Sequence, residues 1–368
     1  MQAFLQQIIY GIQLGSLYAL IALGYTMVYG VLRLINFAHG DVYMVGAYVG
    51  FYCCTSWLPF QDLTTHPGAA TTNIALAIVA LLLSMVLCSM LGIVIERFAY
   101  RPLRNGLQQI DAHFWGAIIA LPIASHFVKL ASLAGVLVYA VAAVAIGFAM
   151  RPVMTYLRKH TVLSTSRLNA LITAIGVSLA LENGGLLVFG SDQKFIGNVL
   201  PEGTVTVFGI QFSSGQSAIF IVSVILMLGL RYVVLYTRRG KAMRAISHDI
   251  EAAKLMGIDT DRVISFTFAL GASLAGAGGA MVAMLTHVKI NTLFGLQPGL
   301  KAFVAAVLGG AGNIPGAALG GVVMGVAESV VAGSKFSTYK DAIAFCLLIG
   351  VLLFRPAGLL GKNVAEKV

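Results

Sequence analysis

The sequence predicts an all-α integral membrane protein, a polytopic helical bundle, and three observations lead to this prediction. Hydrophobic residues make up 58% of the 368 residues and charged residues only 10%, whereas soluble domains carry about 25% charged residues. Apolar runs near the length of a membrane-spanning helix recur along the chain. The 41 glycines suit packing in lipid, where small residues let helix backbones approach closely.

The apolar runs predict about nine or ten membrane segments, since a spanning helix needs roughly 20 apolar residues. We expect them to form a single transmembrane domain over residues 1–368. The predicted segments are Phe4–Leu32, Val42–Leu58, Ile74–Ile95, His113–Leu130, Ser132–Met150, Leu168–Phe189, Ala218–Leu235, Ile264–Leu285, Leu300–Ala332 and Asp341–Phe354. Glycines interrupt the run at Leu300–Ala332, which predicts a broken or re-entrant helix.

The distribution of lysine and arginine predicts the orientation. Most of the 24 basic residues fall in loops that share one side if the helices alternate in direction, and the positive-inside rule makes that side the cytoplasm. The loops on the opposite side contain a single lysine or arginine, Lys194. These loops are Pro59–Asn73 and Gly190–Gln216. We therefore expect the N-terminus in the periplasm and the C-terminus in the cytoplasm.

The predicted periplasmic loop at residues 190–217 contains the sequence TVTVFGIQF, which alternates and is rich in β-branched residues. This pattern predicts a small hairpin. Either a docking surface for an external partner or an ordinary ordered loop would explain it.

Motifs for catalysis are missing from the sequence. Gly240-Lys241 and Gly361-Lys362 lack the other residues of a P-loop, and no zinc-protease or serine-hydrolase motif occurs. We expect no enzyme activity, no cofactor and no metal. The net charge of +10 is spread over short loops between spans, so we expect no nucleic-acid partner.

The predicted cytoplasmic loop at residues 237–263 contains a short amphipathic segment. Its residues Glu251-Ala252-Ala253, followed after three residues by Gly257, spell EAA-x3-G. This motif resembles the coupling loop of ABC importer permeases, which docks into a cleft on a separate ATPase subunit. Leu255 and Met256 continue the apolar spacing of a helix that binds in a groove, and Gly257 is suited to end the helix in a left-handed conformation.

Three longer stretches resemble the bacterial branched-chain amino acid ABC permease family, to which urea and short-chain amide permeases are close relatives. They are GSLYALIALGYTMVYGVLRLINFAHGDVYMVGAYVG, GKAMRAISHDIEAAKLMGIDTDRVISFTFALGASLAGAGG and AFVAAVLGGAGNIPGAALGG. They come from the start, middle and end of the chain, in the order that the family has them.

The resemblance implies a permease subunit in the bacterial inner membrane that translocates leucine, isoleucine and valine. Its implied partners are a second permease chain (homologous or identical), two cytosolic ABC ATPases, a periplasmic substrate-binding protein and the lipid bilayer. A urea or short-amide permease is the alternative within the family. An ion-coupled secondary transporter is the alternative from another class, and it would be expected to carry several intramembrane acids.

Residues 105–166 depart from the family pattern. After IERFAYRPLR the family passes almost at once to RLNALITAIGVSL, whereas about sixty residues intervene here. Two apolar segments with basic borders predict an additional helical hairpin.

Two polar or glycine-rich breaks are candidates for the translocation path. The first carries Asn36 and His39, since polar backbone at membrane depth must face protein or a water-filled cavity. A cytoplasmic turn with Asp41 as helix cap is the alternative. The second break carries Gly309, Gly310 and Asn313, and it predicts either a substrate site between half-helices or a tight turn that packs helices.

Two acids lie inside apolar spans, Glu182 and Glu328. An acid within a membrane span predicts a functional site, such as one that binds the ammonium group of an amino acid. An interhelical hydrogen bond is the alternative for both residues.

Overall fold

A computed structural model describes residues 2–105, 167–197, 200–201, 203–207, 209–286, 288–355 and 357–361. The predicted additional hairpin at 105–166, with its segments His113–Leu130 and Ser132–Met150, lies outside the described residues except for Asn105.

The regular elements of the described chain are helices and one small hairpin, and an isolated antiparallel bridge joins Lys194 and Ile290. Its elements are α1 (Gln2–Leu32), α2 (His39–Tyr52), α3 (Ala70–Ile95), α4 (Arg101–Asn105), α5 (Arg167–Phe189), β1 (Thr204–Val207), β2 (Ile210–Ser213), α6 (Ser214–Tyr236), α7 (Arg238–His248), α8 (Ile250–Leu255), α9 (Thr260–Leu285), α10 (Leu296–Gly309), α11 (Ile314–Ala332) and α12 (Ala342–Phe354). Short π turns follow α2 and α3 at Cys53–Trp57 and Glu96–Tyr100.

Six helices in the described part of the chain are long and apolar enough to cross a membrane. They are α1, α3 with its continuation to Leu103, α5 from Ala170, α6, α9 and α11. The apolar helices α10 and α12 are shorter. The predicted segment Leu300–Ala332 is two separate helices, α10 and α11, and the predicted segment at Val42 begins three residues earlier, at His39.

The described chain forms two compact units, one of residues 1–93 and 192–368 and one of residues 94–191. In the first unit, α1 and α9 are the most buried long helices. Glycines allow their close packing with neighbours: a Cβ added at Gly15 would lie 2.7 Å from Val322 Cα, and one at Gly11 would lie 2.5 Å from Val326 Cα. Small residues thus bring α1 and α11 into backbone contact, as expected where lipid supplies no hydrophobic drive to association.

Contacts along the helices define two ends of the first unit. Helices α1 and α9 are antiparallel, because Gly24 meets Gly271 while Leu17 meets Gly278. The end of α1 therefore lies with α7, α8 and the start of α9, and we call this the basic end. We call the opposite end, with the start of α1 and the end of α9, the hairpin end.

The structure confirms the small hairpin that the alternating sequence predicted. Strands β1 and β2 pair antiparallel from Thr204–Ser213 to Val207–Ile210. Gln6 attaches the hairpin to α1, because its Nε2 donates to Gln211 O at 2.8 Å and its Oε1 accepts from Gln211 N at 2.8 Å.

The second unit contains α4 and α5. Glu96 is fully buried and forms an ion pair with Arg101 at 3.2 Å. Helix α5 exposes large apolar side chains such as Ile172, Leu179 and Leu187, which suits a helix that faces lipid.

Candidate functional site

The first predicted break turns the chain back into the bundle after α1. Arg33 has φ +53° at the end of α1, and α2 begins at His39, whose N–H donates to Asn36 O at 3.1 Å. The His39 side chain is 2% exposed and packs edge-on against Tyr25, with ring centroids 4.7 Å apart. It lies so close to Gly24 that a Cβ there would overlap the imidazole.

Asn36 and His39 are therefore buried in this conformation. Asp41 does not cap α2, since Ala38 is the N-cap residue and makes no side-chain capping bond. A role for Asn36 and His39 in the translocation path stays a prediction.

A further interruption between helices, which we did not predict, packs against the start of α2. Residues 288–295 precede α10, and Gly295 and Gly299 pack against Gly40 at the start of α2. A Cβ added at Gly40 would lie 2.7 Å from Gly295 O. Two half-length helices thus begin side by side, with their N-termini in contact and within the bundle. Phe294 stacks on Tyr43, with ring centroids 5.6 Å apart.

The second predicted break forms a tight turn at the basic end. Gly310 has φ +107°, and Gly309 and Gly316 contact each other through their backbones. The amides of Leu359 and Leu360 donate to Leu308 O and Gly309 O at 2.8 and 3.1 Å, so the C-terminal segment closes the turn.

Asn313 forms hydrogen bonds on both sides of the same turn. Its Oδ1 accepts from Gly316 N at 3.3 Å, where it caps α11, and its Nδ2 donates to Leu360 O at 2.7 Å. These contacts favour the packed-turn alternative. A role in the translocation path stays a prediction for Gly309, Gly310 and Asn313.

Glu328 belongs to a charged cluster that links four elements of the first unit, in which Lys301 and Glu328 are buried and Asp341 is half exposed. Lys301 Nζ on α10 lies 2.6 Å from Glu328 Oε1 on α11 and 2.6 Å from Asp341 Oδ1 at the start of α12. Tyr18 on α1 donates from its hydroxyl to Glu328 Oε2 at 2.8 Å. The cluster fits the hydrogen-bonding alternative for Glu328.

Lys301 and Tyr18 were not among the residues predicted from the sequence. A single lysine within the apolar sequence LQPGLKAFVAAVLG was the available signal, because a cation in such a helix requires a partner. Glu182 is different: it is partly exposed on α5 of the second unit, and its role stays a prediction.

The predicted coupling loop is a pair of short helices, α7 and α8, at the basic end. Thr237 caps α7 by accepting from Gly240 N at 3.0 Å, and Asp249 caps α8 by accepting from Glu251 N and Ala252 N at 2.9 and 3.0 Å. Gly257 has φ +79°. This confirms the prediction that Gly257 ends the helix in a left-handed conformation.

Helix α8 has one face against the bundle and one face in solvent. Ala253 is only 3% exposed, so this predicted contact residue lies on the inner face of α8. Leu255 and Met256 are 89% and 83% exposed. Glu251 and Lys254 lie beside them and form an exposed ion pair at 3.4 Å.

The long apolar helices, the glycine-mediated helix contacts and the polar helix pair at one end define a polytopic helical membrane protein with a solvent-exposed pair of short helices. Residues 7–110 and 111–352 match the model of the family described as branched-chain amino acid transport system / permease component. The chain belongs to this family of multi-pass inner-membrane permeases.

Relatives align with the chain over nearly its full length. It is 37% identical over 369 residues to the high-affinity branched-chain amino acid transport system permease protein BraD of Pseudomonas aeruginosa, with 99% of this chain and 98% of the relative covered. The corresponding LivH proteins of Salmonella typhimurium and Escherichia coli K12 are 37% and 36% identical over the same shares. No solved structure matches the chain.

Proposed function

We propose that this chain is the permease subunit of an ATP-binding-cassette importer that translocates branched-chain amino acids across the bacterial inner membrane. The observation that carries the proposal is the exposure of Leu255 and Met256 on a helix pair outside the apolar bundle. Two large apolar side chains in water are expected to be covered by a protein partner. The names of the relatives support branched-chain amino acids over urea or short amides.

The partners follow from this assignment. The importer contains two permease chains, which are either two copies of this chain or this chain and a homologue. One cytosolic ATPase subunit binds α8 of each permease chain. A periplasmic binding protein delivers the substrate at the hairpin end. The basic residues Arg231, Arg238, Arg239, Lys241 and Arg244 at the basic end support a cytoplasmic position for that end.

The substrate path runs past the contact between α2 and α10. Broken helices commonly build transporter sites because the ends of half-helices are available to polar substrate groups. Leu293, Leu296 and Gln297 are exposed beside the start of α10. They offer apolar contacts for a branched side chain, while the N-terminus of α10 favours the substrate carboxylate.

The test is transport by the chain with the ATPase subunits that copurify with it from native membranes. Proteoliposomes that contain the complex and the binding protein should accumulate labelled leucine when ATP is present on the side of the ATPases. The chain alone should neither hydrolyse ATP nor accumulate leucine. Accumulation of urea and not leucine would assign the alternative substrate, and uptake by the chain alone under an ion gradient would contradict the ABC assignment.

A further inference from the structure

Helix α6 carries an apolar stripe that ends in aromatic residues. Ile221, Ile225, Leu228, Tyr232 and Tyr236 recur at helical spacing, and each side chain is more than half exposed. On a helix long and apolar enough to cross a membrane, such a stripe is expected to face lipid. At the basic end it ends in two tyrosines whose ring centroids lie 5.7 Å apart. Tyrosine is enriched at this depth because its ring lies in the acyl region and its hydroxyl reaches the headgroups.

Basic residues flank these tyrosines on both sides in the sequence. The sequence RYVVLYTRRGKAMR at residues 231–244 contains five cations and no acid. They belong to the last turns of α6 and to α7.

A glycine folds α7 onto the last turn of α6. A Cβ added at Gly240 would overlap the backbone carbonyls of Val233 and Val234, so only glycine permits this approach. Arg244 Nη2 donates to Leu235 O at 3.2 Å on the same turn. The start of α7 therefore lies level with the end of the stripe, instead of extending away from it.

None of the five cations pairs with an acid within the described residues. Arg239 lies over the Phe266 ring at 4.7 Å, and Arg244 binds the Leu235 carbonyl. The side chains of Arg231, Arg238 and Lys241 are exposed and form no ion pair in the part of the chain that the structure describes.

We propose that Arg231, Arg238 and Lys241, together with Tyr232 and Tyr236, form a binding site for the headgroup phosphate of an anionic phospholipid. We call these five residues the headgroup patch. Its continuity with the lipid-facing stripe favours a lipid over an acidic protein surface, because acyl chains can lie along Ile225 and Leu228 while the phosphate meets the cations. Clustered cations next to a membrane helix attract anionic headgroups by charge.

The test compares lipid retention by the full-length chain and two matched triple variants. Arg231→Gln/Arg238→Gln/Lys241→Gln removes the three cations, and Lys289→Gln/Lys335→Gln/Lys340→Gln removes three exposed cations at the hairpin end. Each protein is incorporated into nanodiscs that contain equal phosphatidylglycerol and phosphatidylcholine, extracted, and examined by native mass spectrometry. We expect the first variant to retain roughly tenfold less phosphatidylglycerol, and the second to match the wild type.

Further measurements test which part of the lipid is recognised and whether charge attraction holds it. Excess inorganic phosphate should not displace the lipid, whereas high salt should lower retention of phosphatidylglycerol by the wild type without changing that of phosphatidylcholine. The salt measurement does not depend on the folding of any variant. Tyr232→Ser/Tyr236→Ser should also lower retention, and Tyr232→Phe/Tyr236→Phe should lower it less.

Three results would overturn the proposal. The first is equal retention of phosphatidylglycerol by the wild type and the patch variant. The second is retention by the wild type that salt does not change. The third is a patch variant that keeps its lipid but no longer copurifies with ATPase subunits, which would make these cations part of a protein interface.

Discussion

Lys301 and Glu328 form an ion pair at 2.6 Å inside an apolar helical bundle, with each side chain only 8% exposed. Asp341 shares the same ammonium group at 2.6 Å, and the Tyr18 hydroxyl binds the second oxygen of Glu328. Because one cation serves two carboxylates, loss of the cation has a different consequence from loss of either acid.

We predict that Lys301→Met destabilises the protein more than Glu328→Gln, and Glu328→Gln more than Tyr18→Phe. Removal of the lysine leaves two carboxylates without their cation, and removal of one partner from a buried pair costs about 3–5 kcal/mol. Glu328→Gln leaves Lys301 paired with Asp341. Thermal unfolding of the purified variants measures the order, with the exposed Lys335→Met as control. Equal melting temperatures for all four variants would contradict a stabilising role for the cluster.

The contact between α1 and α11 predicts a difference between two glycines. Gly15→Ala places a Cβ 2.7 Å from Val322 Cα, whereas the space around a Cβ at Gly229 in α6 is open. We expect Gly15→Ala to destabilise the protein by about 1–3 kcal/mol through overpacking and Gly229→Ala to be tolerated. Melting temperature and the yield of monodisperse protein test this. A Gly15→Ala variant as stable as Gly229→Ala would show that the two helices separate at little cost.

Substitutions at Gly310 and Gly312 separate the destabilising effect of backbone strain from that of steric overlap. Both have positive φ, +107° and +90°, but a Cβ at Gly310 would lie 2.8 Å from Gly361 N, while one at Gly312 would lie 3.6 Å from its nearest neighbour, Gly30 Cα. We expect Gly312→Ala to cost about 1–3 kcal/mol from strain and Gly310→Ala to cost more. Thermal unfolding measures both. Normal stability of Gly310→Ala with lost leucine uptake would instead support a direct role in the path.

Docking of the ATPase should depend on the end of α8. Gly257→Val forces a branched residue into the left-handed conformation at φ +79°, in open space, so the change acts through the backbone alone. We expect this variant, Glu251→Lys and Leu255→Ser to recover less ATPase in a pull-down from membranes and to lose leucine uptake. Gly229→Ala is the matched glycine control. If all three variants recover as much ATPase and take up as much leucine as the wild type, α8 is not the coupling element.

Cysteine labelling should distinguish the two ends of the first unit. In a Cys346→Ser background, where the described cysteines that remain are buried, Val205→Cys in the hairpin should react with an impermeant thiol reagent in intact cells. Leu255→Cys should react only after lysis. Both side chains are well exposed, so access to the reagent decides the result. The reverse pattern would invert the predicted topology.

Local chemistry made several features predictable from the sequence. The alternation of TVTVFGIQF predicted the hairpin, because side chains alternate between the two faces of a strand. Gly257 was predictable as a helix end because an L-residue resists positive φ. The segment from Leu300 to Ala332 was less predictable: its glycines revealed the break, but the C-terminal segment that closes the turn could not be foreseen.

Three stretches of the sequence carried the resemblance to a known permease family. By itself, the sequence also determined that this protein is a helical membrane protein with several spans, with basic loops and with a short helix that ends at Gly257. These features follow from composition and from residues near one another in the chain. Only the tertiary structure decided that Tyr18 meets Glu328, 310 residues away, that Gly40 meets Gly295, and that α7 folds back to bring cations level with Tyr232 and Tyr236. Such contacts depend on which helix faces meet, and in lipid this is set by the fit of small residues between backbones, which apolar periodicity does not encode.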